Sequence, residues 1–199
     1  MDQPRQSVPE TGRQRRVSRV SPAYLERAAL YYLERFASSA DNLRRLLMRR
    51  VGRSVITHGT NPDEAAAWVE ALIVKLRGLG YLDDGRFAET KAVSLNRRGR
   101  PLAVIRSALR AGGVGGDDVD QAIKALTGRV ADPDLAAAAA LVRRKRLGPC
   151  RAPETRAGLR SRDLAALGRA GFSYDLARRV VDAPTPEDLE RMAKGSDAE

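Results

Sequence analysis

The chain has 199 residues; 43% are hydrophobic, only 5% are aromatic, and 36 Lys and Arg against 25 Asp and Glu give a formal net charge of +11. A single cysteine, Cys150, and a single histidine, His58, exclude an intrachain disulfide and a Cys/His zinc site. No run approaches the roughly 18 apolar residues of a membrane span and the N-terminus lacks a secretory signal, so we expect a cytoplasmic protein without a membrane partner.

The charge is unevenly distributed along the chain. Residues 1 to 22 carry a net +3 and residues 182 to 199 a net −4, which leaves +12 on residues 23 to 181. We expect a basic flexible arm over 1 to 22 and an acidic flexible tail over 184 to 199. A folded body this basic usually contacts a polyanion, and nucleic acid, met directly or together with a partner, is the commonest candidate.

The first two predicted helices follow the arm. The first begins near Pro22, and the second begins at Ser38, which with Asp41 resembles a capping box. The second helix is expected to end where its apolar pattern lapses, in a loop over 52 to 61. These positions are expected to face inward: Leu25, Ala28, Ala29, Tyr32, Phe36, Leu43, Leu46, Leu47 and Val51. Arg44, Arg45, Arg49 and Arg50 then form an ordinary solvated surface of the second helix.

A third helix has clear signals at both ends. Asn61 stands as its N-cap with Pro62 at the first helical position, and Gly80 ends it. Its expected inward positions are Trp68, Val69, Leu72, Ile73, Leu76 and Leu79.

The corner after this helix carries a recognisable motif, formed by Gly80, Tyr81, Leu82, Asp83, Asp84 and Phe87. In the first interpretation Tyr81 and Leu82 are held in the core and an Asp caps the next helix. In the second, Asp83 and Asp84 are a metal-binding or acid/base pair. We favour the corner, because adjacent residues at a helix start point in different directions and no third ligand is near in sequence.

The same cycle of helix, glycine and acid-started helix then recurs. Helices are predicted from Arg100 and Pro101, from Asp117 or Asp118, and from Asp132, and the rhythm continues to Val181. Three segments superimpose without gaps, at spacings of 63 and 58 residues: LLMRRV at 46 to 51, LRAGGV at 109 to 114 and LGRAGF at 167 to 172. The spacing predicts repeats of about 50 to 60 residues, three short helices each, stacked into an extended array.

The order of these motifs resembles one family. GYLDD followed by FA, then RRGRP, IRSALRAGGV and RAGFSYDLARRVV, are similar to RecX, the regulatory protein of the RecA recombinase, over roughly residues 24 to 183. Two features depart from the family pattern: the long predicted loop at 52 to 61, and Lys91 where an aromatic residue is common.

The resemblance implies an all-α fold of about three tandem three-helix repeats in an elongated, curved array, here over 23 to 80, 81 to 130 and 131 to 183. It also implies a non-enzymatic protein without a cofactor that binds RecA filaments on DNA. An extended repeat array needs no symmetric partner, so we expect a monomer. Such a protein inhibits recombinase and coprotease activity by blocking filament extension or promoting disassembly, in DNA recombination, repair and the SOS response.

Two basic clusters are the predicted contacts with phosphates or with an acidic partner. Arg97, Arg98 and Arg100 surround Gly99 just before a helix, so that side chains and free backbone amides could face one phosphate. Arg143, Arg144, Lys145 and Arg146 follow one another at a helix end, and at least one is expected near the core side. No catalytic or metal-binding residue is predicted; His58 and Cys150 are interpreted as bystanders.

Three hypotheses follow. The first is a regulator that acts on a RecA filament and touches protein and DNA together. The second is a stand-alone module that binds single- or double-stranded DNA, with a helix-turn-helix-like pair over 101 to 126. The third is an enzyme that uses Asp83 and Asp84.

Overall fold

The computed structural model describes residues 17 to 194, which form ten α-helices, one 3-10 turn and no strand. The predicted all-α class is therefore confirmed. The helices are α1 (Pro22–Leu33), α2 (Ala40–His58), α3 (Pro62–Gly78), α4 (Asp84–Arg97), α5 (Leu102–Ala111), α6 (Gly116–Arg129), α7 (Pro133–Lys145), α8 (Pro153–Ala170), α9 (Tyr174–Val181) and α10 (Pro186–Lys194), with the 3-10 turn at Gly148–Cys150.

The buried apolar side chains form three separate cores that follow one another along the described chain. Helices α1 to α3 enclose the first core, α4 to α6 the second, and α7 to α10 the third. Leu47, Ile105 and Leu167, one from each core, are 0% exposed. We propose that these three groups are the repeats predicted at 23 to 80, 81 to 130 and 131 to 183.

Helix α2 is longer than its apolar pattern predicted. It begins after Ser39, one residue later than expected, and continues to His58, so the predicted loop at 52 to 61 is wrong for 52 to 58. The helix continues because Ser54 is an inward position: it is fully buried, accepts a backbone amide from the segment before α1 at 3.0 Å, and bonds the Thr60 hydroxyl at 2.7 Å. A satisfied polar residue interrupted the apolar pattern without interrupting the helix.

The second helix of each group ends in the same way. A glycine with positive φ is followed by a buried residue: Gly59 and Thr60, Gly113 and Val114, Gly171 and Phe172. LRAGGV and LGRAGF coincide with this ending, but LLMRRV lies in the middle of α2, so its place in the predicted superposition is wrong. The equivalent segment is VITHGT at 55 to 60, because the shared feature is the left-handed glycine and not the preceding Leu.

The turn after α3 leaves two apolar side chains outside. Gly80 has φ 76°, and the Tyr81 amide donates to the Leu76 carbonyl at 3.0 Å, which closes the helix end. Leu82 is 4% exposed, but Leu79 is 61% and Tyr81 57% exposed. The prediction that Leu79 and Tyr81 are inside is wrong. Leu79 lies at the exposed end of α3, and after the left-handed glycine it is Leu82, not Tyr81, that turns inward.

Much of the predicted acidic tail is folded. The expectation of a flexible segment over 184 to 199 is wrong for Pro186–Lys194, which form α10. Leu189 is 2% exposed in the third core, and Glu190 accepts from the Arg143 guanidinium at 2.7 Å. The acidic composition of this segment suggested disorder, but the segment forms a short amphipathic helix whose apolar face completes that core.

The end of the predicted basic arm is also packed against the body. Val20 is 4% exposed in the first core, and the Ser21 hydroxyl caps α1 by accepting the Tyr24 amide at 3.3 Å. Residues 1 to 16 of the arm and 195 to 199 of the tail lie outside the described residues.

Polar contacts join the first group to the second. The Ser39 hydroxyl donates to the Gly112 carbonyl, and Arg45 Nη2 donates to the Ala111 carbonyl at 3.0 Å. These bonds use carbonyls that the end of α5 leaves without partners inside the helix, so the start of α2 caps the end of α5.

The second and third groups meet closely where α4 ends. The Asn96 side chain, 5% exposed, donates to the Pro133 carbonyl at 2.8 Å. Gly99, with φ 77°, lies against α7 so closely that a Cβ there would be 2.9 Å from the Leu141 Cβ and 3.0 Å from the Ala137 carbonyl oxygen. This contact fixes the arginine-rich loop against α7.

Candidate nucleic-acid and partner interface

The two aspartates of the corner after α3 have separate partners. Asp83 caps α4, because its Oδ1 accepts the Arg86 amide at 2.8 Å. Asp84 turns to the first group, where Oδ1 accepts the Ala40 amide at 2.7 Å and Oδ2 accepts Arg77 Nη2 at 2.7 Å. Among residues 17 to 194, no cluster of three or more His, Cys, Asp or Glu side chains is placed to hold a metal. The geometry is that of a structural corner.

We expect Asp84→Ala to lower the free energy of unfolding by about 1–2 kcal/mol, because it leaves the Ala40 amide at the start of α2 without its acceptor. Urea denaturation followed by circular dichroism measures the loss. The matched control is Asp117→Ala, an exposed acid in the first turn of α6, which should change stability far less. Equal losses in the two variants would contradict the structural role of Asp84.

A carboxylate occupies the start of α5 in the same way. The Leu102 amide donates to Asp134 Oδ1 at 2.7 Å, as the Ala40 amide does to Asp84. In both cases the acid lies in the first turn of the helix that begins a group: Asp84 of α4 caps α2, and Asp134 of α7 caps α5. Each caps the second helix of the preceding group. The idea that free amides of α5 join the arginines in binding a phosphate is therefore wrong for the Leu102 amide.

The structure brings parts of the two predicted basic clusters together. Arg144 Nη1 donates to the Arg98 carbonyl at 2.6 Å, which ties the end of α7 to the loop after α4. Beside this bond lies a cleft of about 230 Å³, which we call the seam cleft. Its charged lining residues are Arg100, Arg144, Lys145 and Arg169, and no carboxylate lines it. All four are exposed side chains.

The other two members of the second cluster point elsewhere. Arg143 pairs with Glu190 of α10 at 2.7 Å. Arg146 follows the end of α7 with φ 52°, and Leu147 turns inward in its place. All four cations of the run are exposed, so the expectation that one lies near the core is wrong. The reason is that the helix ends at Lys145, before the run completes a turn.

Arg97 and Arg98 line a second cleft, of about 510 Å³, which we call the α4 cleft. Arg129 from α6 lies across it and pairs with Glu89 at 3.6 Å. Sequence reasoning missed Arg129 here and Arg169 in the seam cleft. Each stands in the last turn of its helix, but nothing in the sequence indicates which loop that turn faces.

Comparison with known proteins decides the family. The chain is 48% identical over 170 residues to the regulatory protein RecX of Myxococcus xanthus (strain DK1622), a match that covers 85% of this chain and 90% of that protein. The chain belongs to the RecX family. The regulatory protein RecX of Halorhodospira halophila (strain DSM 244 / SL1) is 31% identical over 161 residues, or 81% of this chain and 90% of that one.

Further comparisons bear on sequence and on fold. The RecX of Agrobacterium fabrum (strain C58 / ATCC 33970) is 26% identical over 165 residues, which cover 83% of this chain and 85% of that protein. A crystal structure of regulatory protein RecX superposes with a TM-score of 0.52 at 22% identity, over 80% of this chain and 70% of that one, and supports the helical repeat fold. No family model matches the chain. The resemblance to RecX noted in the sequence is confirmed, and with it a regulatory role.

Several arginines of this RecX-family chain serve its own fold. Arg44 donates to both carboxylate oxygens of Glu70, at 2.6 and 3.0 Å, and this bonding lowers the pKa of Glu70. Arg50 donates to the Tyr24 hydroxyl at 3.0 Å. These side chains lie on the α2 surface that was predicted to be merely solvated.

In the described part of the chain, no helix is both long enough and apolar enough to cross a membrane.

Proposed function

We propose that this protein binds RecA filaments on DNA and inhibits their recombinase and coprotease activities, by blocking filament extension or promoting disassembly. Through that inhibition it regulates DNA recombination, DNA repair and the SOS response. The observation that carries the proposal is 48% identity to a regulatory RecX protein over most of both chains.

The seam cleft and the α4 cleft supply a physical basis for contact with DNA inside a filament. Arg97, Arg98 and Arg100 lie on one side of the junction between groups, and Arg144 and Lys145 on the other. Among residues 17 to 194, the ion pairs within 4 Å include none from Arg97, Arg98, Arg100, Arg144, Lys145 or Arg169. Exposed cations without a carboxylate partner can neutralise phosphates and release counterions.

The proposal is for a non-enzymatic, monomeric regulator without a cofactor that acts in the cytoplasm. The non-enzymatic part is supported by the bonding of Asp83 and Asp84, whose carboxylate oxygens have separate partners at two helix starts and at Arg77. Any nucleotide hydrolysis in the complex then belongs to RecA.

The alternative is a stand-alone DNA-binding module, and the cationic seam cleft is the observation that favours it. Such a module needs no recombinase, and its affinity for DNA alone must account for any inhibition. The two functions therefore differ in the amount of protein that inhibition requires.

We expect inhibition of RecA's ATP hydrolysis on single-stranded DNA well below one molecule of this protein per RecA, at concentrations too low to coat the DNA. DNA binding without RecA is measured in the same buffer. The triple variant Arg100→Ala, Lys145→Ala, Arg169→Ala should raise the half-inhibitory concentration by about tenfold or more, because it removes three potential phosphate contacts.

The matched control removes two arginines and one lysine outside the clefts: Arg110→Ala, Lys124→Ala, Arg179→Ala, all exposed. It alters net charge equally and should change inhibition much less. Inhibition that appears only as the DNA becomes saturated would contradict action on the filament and support the stand-alone module.

A further inference from the structure

A third cleft adjoins the basic surface along α4. It measures about 340 Å³, and we call it the aromatic cleft because Tyr81 and Phe87 line it, together with Arg86 and Lys91. Thr90 and Ser94 of α4 line both this cleft and the α4 cleft, so the two are contiguous.

Tyr81 is an exposed aromatic side chain at this cleft. The left-handed Gly80 sends Leu82 into the first core and leaves Tyr81 57% exposed at the cleft. Phe87 packs against the second core and also lines the cleft. The cleft therefore offers two aromatic rings beside two cations, Arg86 and Lys91.

Cations continue from this cleft along the whole of α4. Arg86 and Arg97 are eleven residues apart on the helix, a rise of about 16 Å. Beyond Arg97 the loop carries Arg98, whose carbonyl bonds Arg144 of the seam cleft. Two carboxylates line this path: Asp83 caps α4, and Glu89 pairs with Arg129. This path, which we call the track, thus has an aromatic end at the aromatic cleft and a cationic end at the seam cleft.

We propose that this track, from the aromatic cleft through the α4 cleft to the seam cleft, binds single-stranded nucleic acid. A base stacks on Tyr81 in the aromatic cleft, and the backbone phosphates that follow lie along Arg97 and Arg98 towards Arg169. The inference deepens the proposed function, on which it rests for its biological role: it makes single-stranded DNA the contact within the filament.

The chemistry favours a single strand over a duplex. Stacking on an aromatic side chain needs a base whose face is open, and the faces of paired bases in a duplex are covered by their neighbours. Phosphate contacts alone would not distinguish the two forms. Tyr81 therefore supplies the discrimination, while the cations supply affinity that depends on salt.

The test measures binding of the full chain, without RecA, to three fluorescent probes by anisotropy: a single-stranded oligothymidylate, an abasic oligonucleotide of the same length, and a duplex. Tyr81→Ala should weaken binding to the oligothymidylate by about 5- to 100-fold, the range expected for one lost stacking contact. It should leave the abasic and duplex affinities unchanged, and Tyr81→Phe should restore the wild-type affinity.

Tyr31→Ala is the matched control, because Tyr31 is also 57% exposed but lies on α1 outside the three clefts. An unchanged affinity of Tyr81→Ala for the oligothymidylate would overturn the inference, as would an equal loss for the abasic probe. If Tyr81→Ala weakens inhibition of RecA but binds every probe normally, the aromatic cleft takes a protein segment, and the inference fails while the proposed function stands. If binding to the oligothymidylate depends on Tyr81 but the protein does not inhibit RecA, the inference stands and the proposed function fails.

Discussion

We expect Asp163→Ala to lower the free energy of unfolding by about 2–4 kcal/mol, because three hydrogen bonds to a buried carboxylate are lost together. Asp163 is 1% exposed on α8. It accepts the Gly148 amide at 2.8 Å and Arg151 Nε and Nη2 at 2.7 Å each. The pair therefore fixes the 3-10 turn that joins α7 to α8. Without the carboxylate, the hydrogen bonds that hold this turn against α8 are lost.

The same carboxylate makes stability depend on pH in the acid range. Burial disfavours its charged form, but the hydrogen bonds from Arg151 and Gly148 and the charges of Arg151 and Arg162 outweigh burial and lower the pKa of Asp163 below its ordinary value of 3.8. A carboxyl with a lower pKa in the folded state contributes stability that is complete above its unfolded pKa and is lost as the pH falls through the folded value. The wild-type protein should therefore lose this contribution only below about pH 4.

Urea denaturation at a series of pH values from about 7 to 3 measures both effects. The Asp163→Ala variant should be less stable at neutral pH and should lose less stability on acidification than the wild type. The control is Asp182→Ala, which breaks a pair with Arg160 in which both side chains are 41% exposed, so that solvent screens most of its energy. If the Asp163 variant lost no more stability than this control, the turn would not depend on the buried pair.

Gly99→Ala should destabilise the junction between the second and third groups by about 2–4 kcal/mol. Part of the loss comes from backbone conformation, since φ of 77° is unfavourable for a residue with a Cβ. The rest comes from the collision of that Cβ with the Ala137 carbonyl and Leu141 on α7. Relief of this collision must move the loop that carries Arg98 and Arg100, so binding to single-stranded DNA should weaken as well.

Thermal and urea denaturation, with oligonucleotide anisotropy on the same samples, would measure this change. Gly158→Ala is the matched control, because Gly158 lies within α8 and a Cβ there would meet nothing within 4 Å beyond the adjoining backbone of its own helix. Alanine there should be neutral or stabilising by up to about 1 kcal/mol. A Gly99 variant as stable as this control would contradict the close approach of the loop to α7.

Local signals predicted much of the helical order because their physics is local. Asn61 with Pro62, and Asp132, start α3 and α7 as predicted, since a side-chain oxygen bonds amides only two or three residues away. The family was also recognisable from the order of short motifs. The errors arose where a buried position was not apolar, as at Ser54, or where an acidic segment had an apolar face, as at Leu189.

The sequence by itself therefore determined the all-α class, most helix starts and the RecX family. Only the tertiary structure decided which side chains share a surface. Arg98 and Arg144 are 46 residues apart, and Ala40 and Asp84 are 44 apart. Hydrophobic periodicity specifies which face of a helix is buried but not which loop the other face meets, because that depends on how the three groups of helices pack together. The seam cleft and the bonding of Asp84 to the start of α2 both follow from that packing.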